Sequence, residues 1–191
     1  MVLVAKSKVL GMTARGFTLI ELMIALSIFA LLAFLALPIY SSFMGNSQIR
    51  NAAENSLTGV RLAQAAAIKG NSRAKFVIDA NAWSVYAWND EIADFAVTPT
   101  QTYLFAEGAS HTTNAPTPAG ATTVTFDGLG RIFPNENPPT ASLTRIDFTN
   151  PSVTNPRNLR VMISGIGGTT GIKLCDPDPG VAASDPRACP P

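Results

Sequence analysis

Gly16-Phe17-Thr18-Leu19-Ile20-Glu21 opens an apolar run, FTLIELMIALSIFALLAFLALPI over residues 17–39, whose only charged side chain is Glu21. About 20 apolar residues in a helix span the hydrocarbon layer of a bilayer. A buried core helix is the alternative, but such a helix shows one apolar stripe, whereas this run is apolar on every face. The preceding segment carries Lys6, Lys8 and Arg15 and no acid. The positive-inside rule therefore keeps that end in the cytoplasm and exports everything beyond Tyr40.

The order of these features separates the segment from an ordinary secretory signal, in which the apolar core precedes the cut. Here a short polar leader ends at Gly16 and the apolar stretch follows at once. A carboxylate deep in lipid without a partner costs a few kcal/mol, so Glu21 is a functional candidate. The alternative is that it snorkels to the interface.

Gly16-Phe17-Thr18-Leu19-Ile20-Glu21 resembles the prepilin cleavage motif of type IV pilins and type II secretion pseudopilins. Pro38 falls where those proteins often carry a helix-bending proline. The resemblance implies cutting between Gly16 and Phe17 by a prepilin peptidase and N-methylation of Phe17. It also implies that Glu21 pairs with the N-terminal amine of a neighbouring subunit. A buried carboxylate and ammonium relieve each other's desolvation cost, which suits a pair that sets register between subunits leaving the bilayer.

Beyond Pro38 the pattern becomes amphipathic. Phe43, Ile49, Ala53, Leu57, Val60, Ala63 and Ala67 recur at helical spacing, while Arg50, Glu54, Arg61 and Lys69 can point away. No heptad is sustained, so a coiled coil is disfavoured. Gly70-Asn71 is a stop signal, and Pro38 and Gly45 are candidate bends or loose points. From Arg73 on, the chain reads as strands: a hairpin from Ala74–Asp79 and Ala82–Trp88, then Gln101–Ala106, Thr122–Phe126, Arg131–Phe133, Leu143–Thr149, Leu159–Ser164 and Gly171–Cys175. Residues 107–121, rich in Ala, Thr, Pro and Gly, read as a loop. The expected class is α+β, type IV pilin-like, with one long helix packed against an antiparallel sheet and a C-terminal disulfide loop. Its expected divisions are a leader (1–16), a membrane and filament-core helix (17–39), an amphipathic second half (40–70) and a β-rich periplasmic domain (71–191).

Phe126-Asp127-Gly128-Leu129-Gly130 is similar to the Phe-x-Gly-x-Gly segment of the FimT/GspH group of minor pilins and pseudopilins, and two glycines two apart suit a tight turn. Asn51-Ala52-Ala53-Glu54 and Arg61-Leu62-Ala63-Gln64-Ala65 also look like that group's helix. The implied roles are initiating or capping a type IV pilus, DNA binding during natural transformation, or service as the H-type pseudopilin of type II secretion. The implied partners are the prepilin peptidase, other minor and major pilins or pseudopilins, and the inner membrane.

DNA is a possible partner with little support from the tail. DNA-binding relatives are thought to use a C-terminal Gly-Arg-x-Arg motif, but here the stretch reads Thr170-Gly171-Ile172-Lys173-Leu174, with only Lys173 basic. From residue 170 on, Lys173 and Arg187 face Asp176, Asp178 and Asp185, a poor balance for a phosphate site. Arg131, Arg145, Arg157 and Arg160 would have to join them in space. The chain of 191 residues has a formal net charge of +1; without Lys6, Lys8 and Arg15 it holds 11 basic and 13 acidic side chains, with no overall pull on nucleic acid.

Cys175 and Cys189 would face an oxidising compartment after export, which favours a disulfide. Zinc is the rival reading, but two cysteines and the distant His111 make a poor ligand set. No cofactor is expected. No enzyme is expected either: one distal histidine gives no triad, and Gly165-Ile166-Gly167-Gly168 lacks the Lys-Ser/Thr of a phosphate loop.

Overall fold

A computed structural model describes residues 16–136, 138–166, 169–182 and 184–190. The leader with Lys6, Lys8 and Arg15, and the Gly167-Gly168 pair, lie outside the described residues. Two compact units are distinguished, one ending at Ile39 and the other comprising Tyr40–Pro191.

Helix α1 spans Leu19–Gly70. Its start is capped by Thr18, whose Oγ1 accepts the Glu21 N–H at 3.2 Å. Thr18 and Glu21 thus stand at the two positions of a Thr-x-x-Glu capping box, with the acid in the first turn where the helix dipole favours negative charge. In the first unit the apolar side chains from Phe17 to Ile39 are largely exposed, and the helix is long and apolar enough to cross a membrane. The far end closes by a Schellman arrangement. Asn71 takes φ 44°, its N–H donates to Ile68 O, and the Ser72 N–H donates to Ala67 O.

The second unit holds the hydrophobic core. The buried face of α1 runs through Gly45, Ile49, Ala52, Ala53, Ser56, Gly59, Val60, Ala63 and Ala67. Most of these residues are small because rings lie directly on the helix. A Cβ on Gly59 would come within 2.8 Å of Phe76 and Trp83. Two expectations about α1 are corrected here. Phe43 is not part of the core stripe but 68 % exposed. Gly45 does not loosen α1 but lies buried within it, and a Cβ there would meet Val153 Cγ2 at 2.1 Å.

The strands form two main antiparallel sheets rather than one. β1 (Ala74–Ile78) and β2 (Ala82–Asn89) make the expected hairpin, followed by β3 (Asp94–Phe95) and β4 (Gln101–Leu104). A short 3-10 turn, Phe105–Glu107, leads to β5 (Thr113–Thr117). Next come β6 (Thr123–Phe126), β7 (Ile132–Phe133), β8 (Asn135–Glu136) and β9 (Pro139–Thr140). The last three are β10 (Arg145–Thr149), β11 (Leu159–Ile166) and β12 (Thr169–Cys175). The first sheet has the order β3-β2-β1-β6-β7, with β4 also on β2; the second has the order β12-β11-β10-β5.

Residues 107–121, expected as loop, therefore contain a strand. β5 escaped composition because Pro116 sits in it, opposite Ile146 of β10. It is the edge of its sheet, where a missing backbone donor is tolerated. The alternation of β10 sends Ile146 and Phe148 inward, and Val161 and Ile163 of β11 join them. A chain of rings, Phe76–Trp83–Tyr103–Phe105–Phe148, links the two sheets with successive centroids 5.8–6.3 Å apart. Each such ring contributes about 1.5–3 kcal/mol when fully buried.

Candidate functional site

Three regions carry the candidate residues. At the N-terminus, Gly16 and Phe17 precede α1, exposed and without regular structure, so the bond between them is sterically open. A Cβ on Gly16 would meet nothing within 4 Å. Glu21 lies within the first turn of α1 and is exposed, its backbone held by Thr18. Thr18 is the residue sequence reasoning passed over, although the Thr-x-x-Glu spacing ahead of an apolar run is a helix-start signal in its own right.

The Phe126–Gly130 turn is the second region. Asp127 Oδ1 accepts the N–H groups of Leu129 and Arg131, and its Oδ2 receives the Arg131 guanidinium at 2.9 Å. Burial pushes the Asp127 carboxyl up, but the Arg131 backbone and guanidinium and the Leu129 N–H outweigh it and leave the pKa lowered. The glycines do more than turn the chain. Gly130 has φ 75°, and a Cβ on it would lie 2.7 Å from Ile68 Cδ1; one on Gly128 would lie 2.9 Å from the Asn71 backbone. Gln64 Nε2 donates to Gly130 O at 2.9 Å. The motif is thus the contact that fastens the first sheet to the end of α1.

The third region is the tail. Cys175 and Cys189 form a disulfide, and Cys175 is buried. The closed loop is tied further by Asp176 N–H to Arg187 O at 2.7 Å and by Lys173 Nζ to Ala188 O at 3.1 Å. Hydrogen bonding from the Arg187 side chain, then its backbone N–H, lowers the Asp185 carboxyl to about 2. His111 is exposed beside Ser110, and among the described residues no group of three metal-ligand side chains gathers.

The candidate DNA-contacting residues are only partly brought together. Arg145 and Arg160 share the outer face of the second sheet with Lys173, but Asp147 stands between the two arginines and pairs with both. Arg131 is paired with Asp127, and Arg187 with Asp185 at 2.8 Å. Arg157 alone of the five arginines makes no ion pair among the described residues, and its backbone N–H donates to Asn46 Oδ1 on α1 at 2.8 Å.

With this geometry in place, the chain can be set beside known proteins. Residues 11–37 match the prokaryotic N-terminal methylation motif, and residues 52–167 match the family described as type II transport protein GspH. Two crystal forms of the type IV minor pilin FimU of Pseudomonas aeruginosa (strain PAO1) are structurally similar at 15 % identity. One has a TM-score of 0.46, covering 69 % of this chain and 92 % of that one; the other has 0.43, covering 65 % and 91 %. No curated protein matches the chain. The GspH match spans more than half of the sequence, and behind an N-terminal methylation motif it means that this chain belongs to the GspH family of type IV pilin-like subunits.

Proposed function

We propose that the protein is a minor pilin that initiates or caps a type IV pilus. It is made with a cytoplasmic leader (1–16), held in the inner membrane by residues 17–39, and carries residues 40–191 in the periplasm. The observation that supports this most is the pairing of an open Gly16–Phe17 bond with an exposed apolar helix that holds one acid in its first turn. After cutting, the Phe17 ammonium and Glu21 are each costly in lipid alone, and each is relieved when subunits meet. Prepilin peptidase acts first, on the leader; neighbouring pilins then receive the helix.

N-terminal mass spectrometry of protein from membranes and from sheared filaments tests the reading. The expected mature chain begins at N-methylated Phe17 and is found in filaments. A chain that begins at Met1 and never joins a filament would overturn it. Glu21→Ala is expected to leave cleavage intact while filament incorporation falls about tenfold or more, the size of effect expected from losing one buried charge partner. Normal incorporation of that variant counts against the amine–carboxylate role.

Membership of the type II transport protein GspH family favours one alternative, the H-type pseudopilin of a type II secretion system. The neighbouring genes discriminate: minor pilin genes support the pilus, secretion genes the pseudopilus.

A further inference from the structure

The Tyr40–Pro191 unit holds a groove of about 810 Å³ between its stretch of α1 and the last two strands. Phe43, Leu159 of β11, Leu174 of β12 and Cys175 of the disulfide give it an apolar floor. Phe43 is exposed, and Leu159 and Leu174 are only partly buried. Five charged side chains also line it: Arg50, Glu54, Arg157, Asp176 and Arg187. Arg50 pairs with Glu54 at 2.7 Å, and Arg187 pairs with Asp185 at 2.8 Å. Asp176 adds a lesser attraction to Arg187. Arg157 and Asp176, one of each sign, form no ion pair among the described residues. With Asp185 counted, the groove is an apolar trough whose charges cancel, and it keeps one cation and one anion spare.

Its place along the chain limits what reaches it. Tyr40 and Phe43 are both exposed, and tyrosine is enriched at the boundary between membrane and water. Phe43 stands three residues beyond Tyr40 on α1, about 4.5 Å at the helical rise. A headgroup layer is about 5–8 Å deep. One end of the groove therefore opens at the level of the lipid headgroups while residues 17–39 are held in the bilayer. A neighbouring helix is too bulky an occupant. From Phe43 to Glu54 the helical wall runs about 16 Å, and over that length a helix with its side chains fills about 1,500 Å³, well above the volume of the groove.

We infer that the groove takes up a zwitterionic phospholipid of the phosphatidylethanolamine type, with its phosphate toward Arg157, its ammonium toward Asp176 and the first carbons of an acyl chain on Phe43, Leu159 and Leu174. Charge complementarity selects this occupant. A purely anionic headgroup would set negative charge against Asp176, and a purely cationic one would set positive charge against Arg157. A headgroup with both signs satisfies both, and its ammonium can donate hydrogen bonds to the carboxylate. The inference rests on the membrane-held precursor proposed above and deepens it. The lipid gives the exported unit a second hold on the bilayer besides the apolar helix, released when the subunit leaves the membrane.

The test uses the full chain in vesicles that contain phosphatidylethanolamine with a diazirine near the glycerol end of one acyl chain. After illumination and proteolysis, labelled lipid is expected on residues 17–39 and also on fragments that hold Leu159 or Leu174. Arg157→Gln and Asp176→Asn should each cut the second labelling about fivefold, the size of effect of one charge at a membrane surface. Both should leave the labelling of residues 17–39 unchanged, which separates a lost lipid contact from failed insertion. Phosphatidylglycerol with the same probe lacks the ammonium and should label the Leu159 and Leu174 fragments about fivefold less. Labelling confined to residues 17–39, equal labelling by the two lipids, or yields untouched by both substitutions would overturn the inference. Labelling absent from residues 17–39 as well would overturn the membrane-held precursor and the inference with it, so the two failures are told apart.

Discussion

At the level of single residues, the glycines and aspartates do the specific work. Gly45 is the point where α1 accepts the 150–153 segment: Val153 packs on it, and Asn150 Nδ2 donates to Gly45 O at 3.4 Å and Gln48 Oε1 at 3.1 Å. Gly45→Ala would ordinarily favour a helix, but here its methyl has no room. We expect a net loss of about 1–3 kcal/mol in chemical denaturation of the full chain in detergent, partly recovered by Val153→Ala. A neutral or stabilising Gly45→Ala would mean that the segment does not sit on the helix. Asp185 makes a different prediction. Its folded pKa of about 2 lies below its ordinary 3.8 because Arg187 holds the carboxylate. The stabilisation it gives is complete above about pH 4 and is lost as pH falls through about 2. A carboxyl NMR titration should show that low midpoint, and Arg187→Ala should return it toward the ordinary value; an unchanged midpoint would remove the pairing.

Among the elements, the tail shows how little regular structure is needed when covalent and polar ties are dense. The two cysteines stand 14 positions apart in sequence, which in the chain-entropy view amounts to about 3 kcal/mol of stabilisation. Replacing both with serine should leave β12 paired to β11, because that ladder runs from Arg160–Cys175 to Ile166–Thr169, while amides of residues 176–190 gain rapid hydrogen exchange. Exchange unchanged in the tail would show that its hydrogen bonds suffice alone. Mass spectrometry of the protein purified without reductant should find it lighter than its reduced form by the two thiol hydrogens. The Phe126–Gly130 segment was legible as a turn from Gly128 and Gly130. Its second role against Ile68 and Asn71 was not, because a close approach between elements far apart in sequence leaves no local pattern.

For the molecule as a whole, charge placement bears on what can bind. Asp147, Asp127 and Asp185 each neutralise arginines that a DNA site would need. The full chain in detergent is therefore expected to show no gel shift with duplex DNA at moderate salt, since few phosphates can be neutralised. Salt-dependent binding lost in Arg145→Ala, Arg160→Ala or Lys173→Ala would reverse that reading and make the outer face of the second sheet a receptor surface.

The sequence by itself determined the apolar helix with one acid, the end of α1 at Gly70, the β1–β2 hairpin and most strands of the second unit. Those features rest on composition, period and capping, which act over a few residues. Only the tertiary structure decided that the strands form two sheets, that Pro116 sits in an edge strand, that Phe43 stays outside the core and that Asp147 lies between Arg145 and Arg160. Each of these depends on which residues meet across long stretches of chain. Partner strands and facing charges are chosen by the packing of the whole unit, and the same local pattern is compatible with several choices.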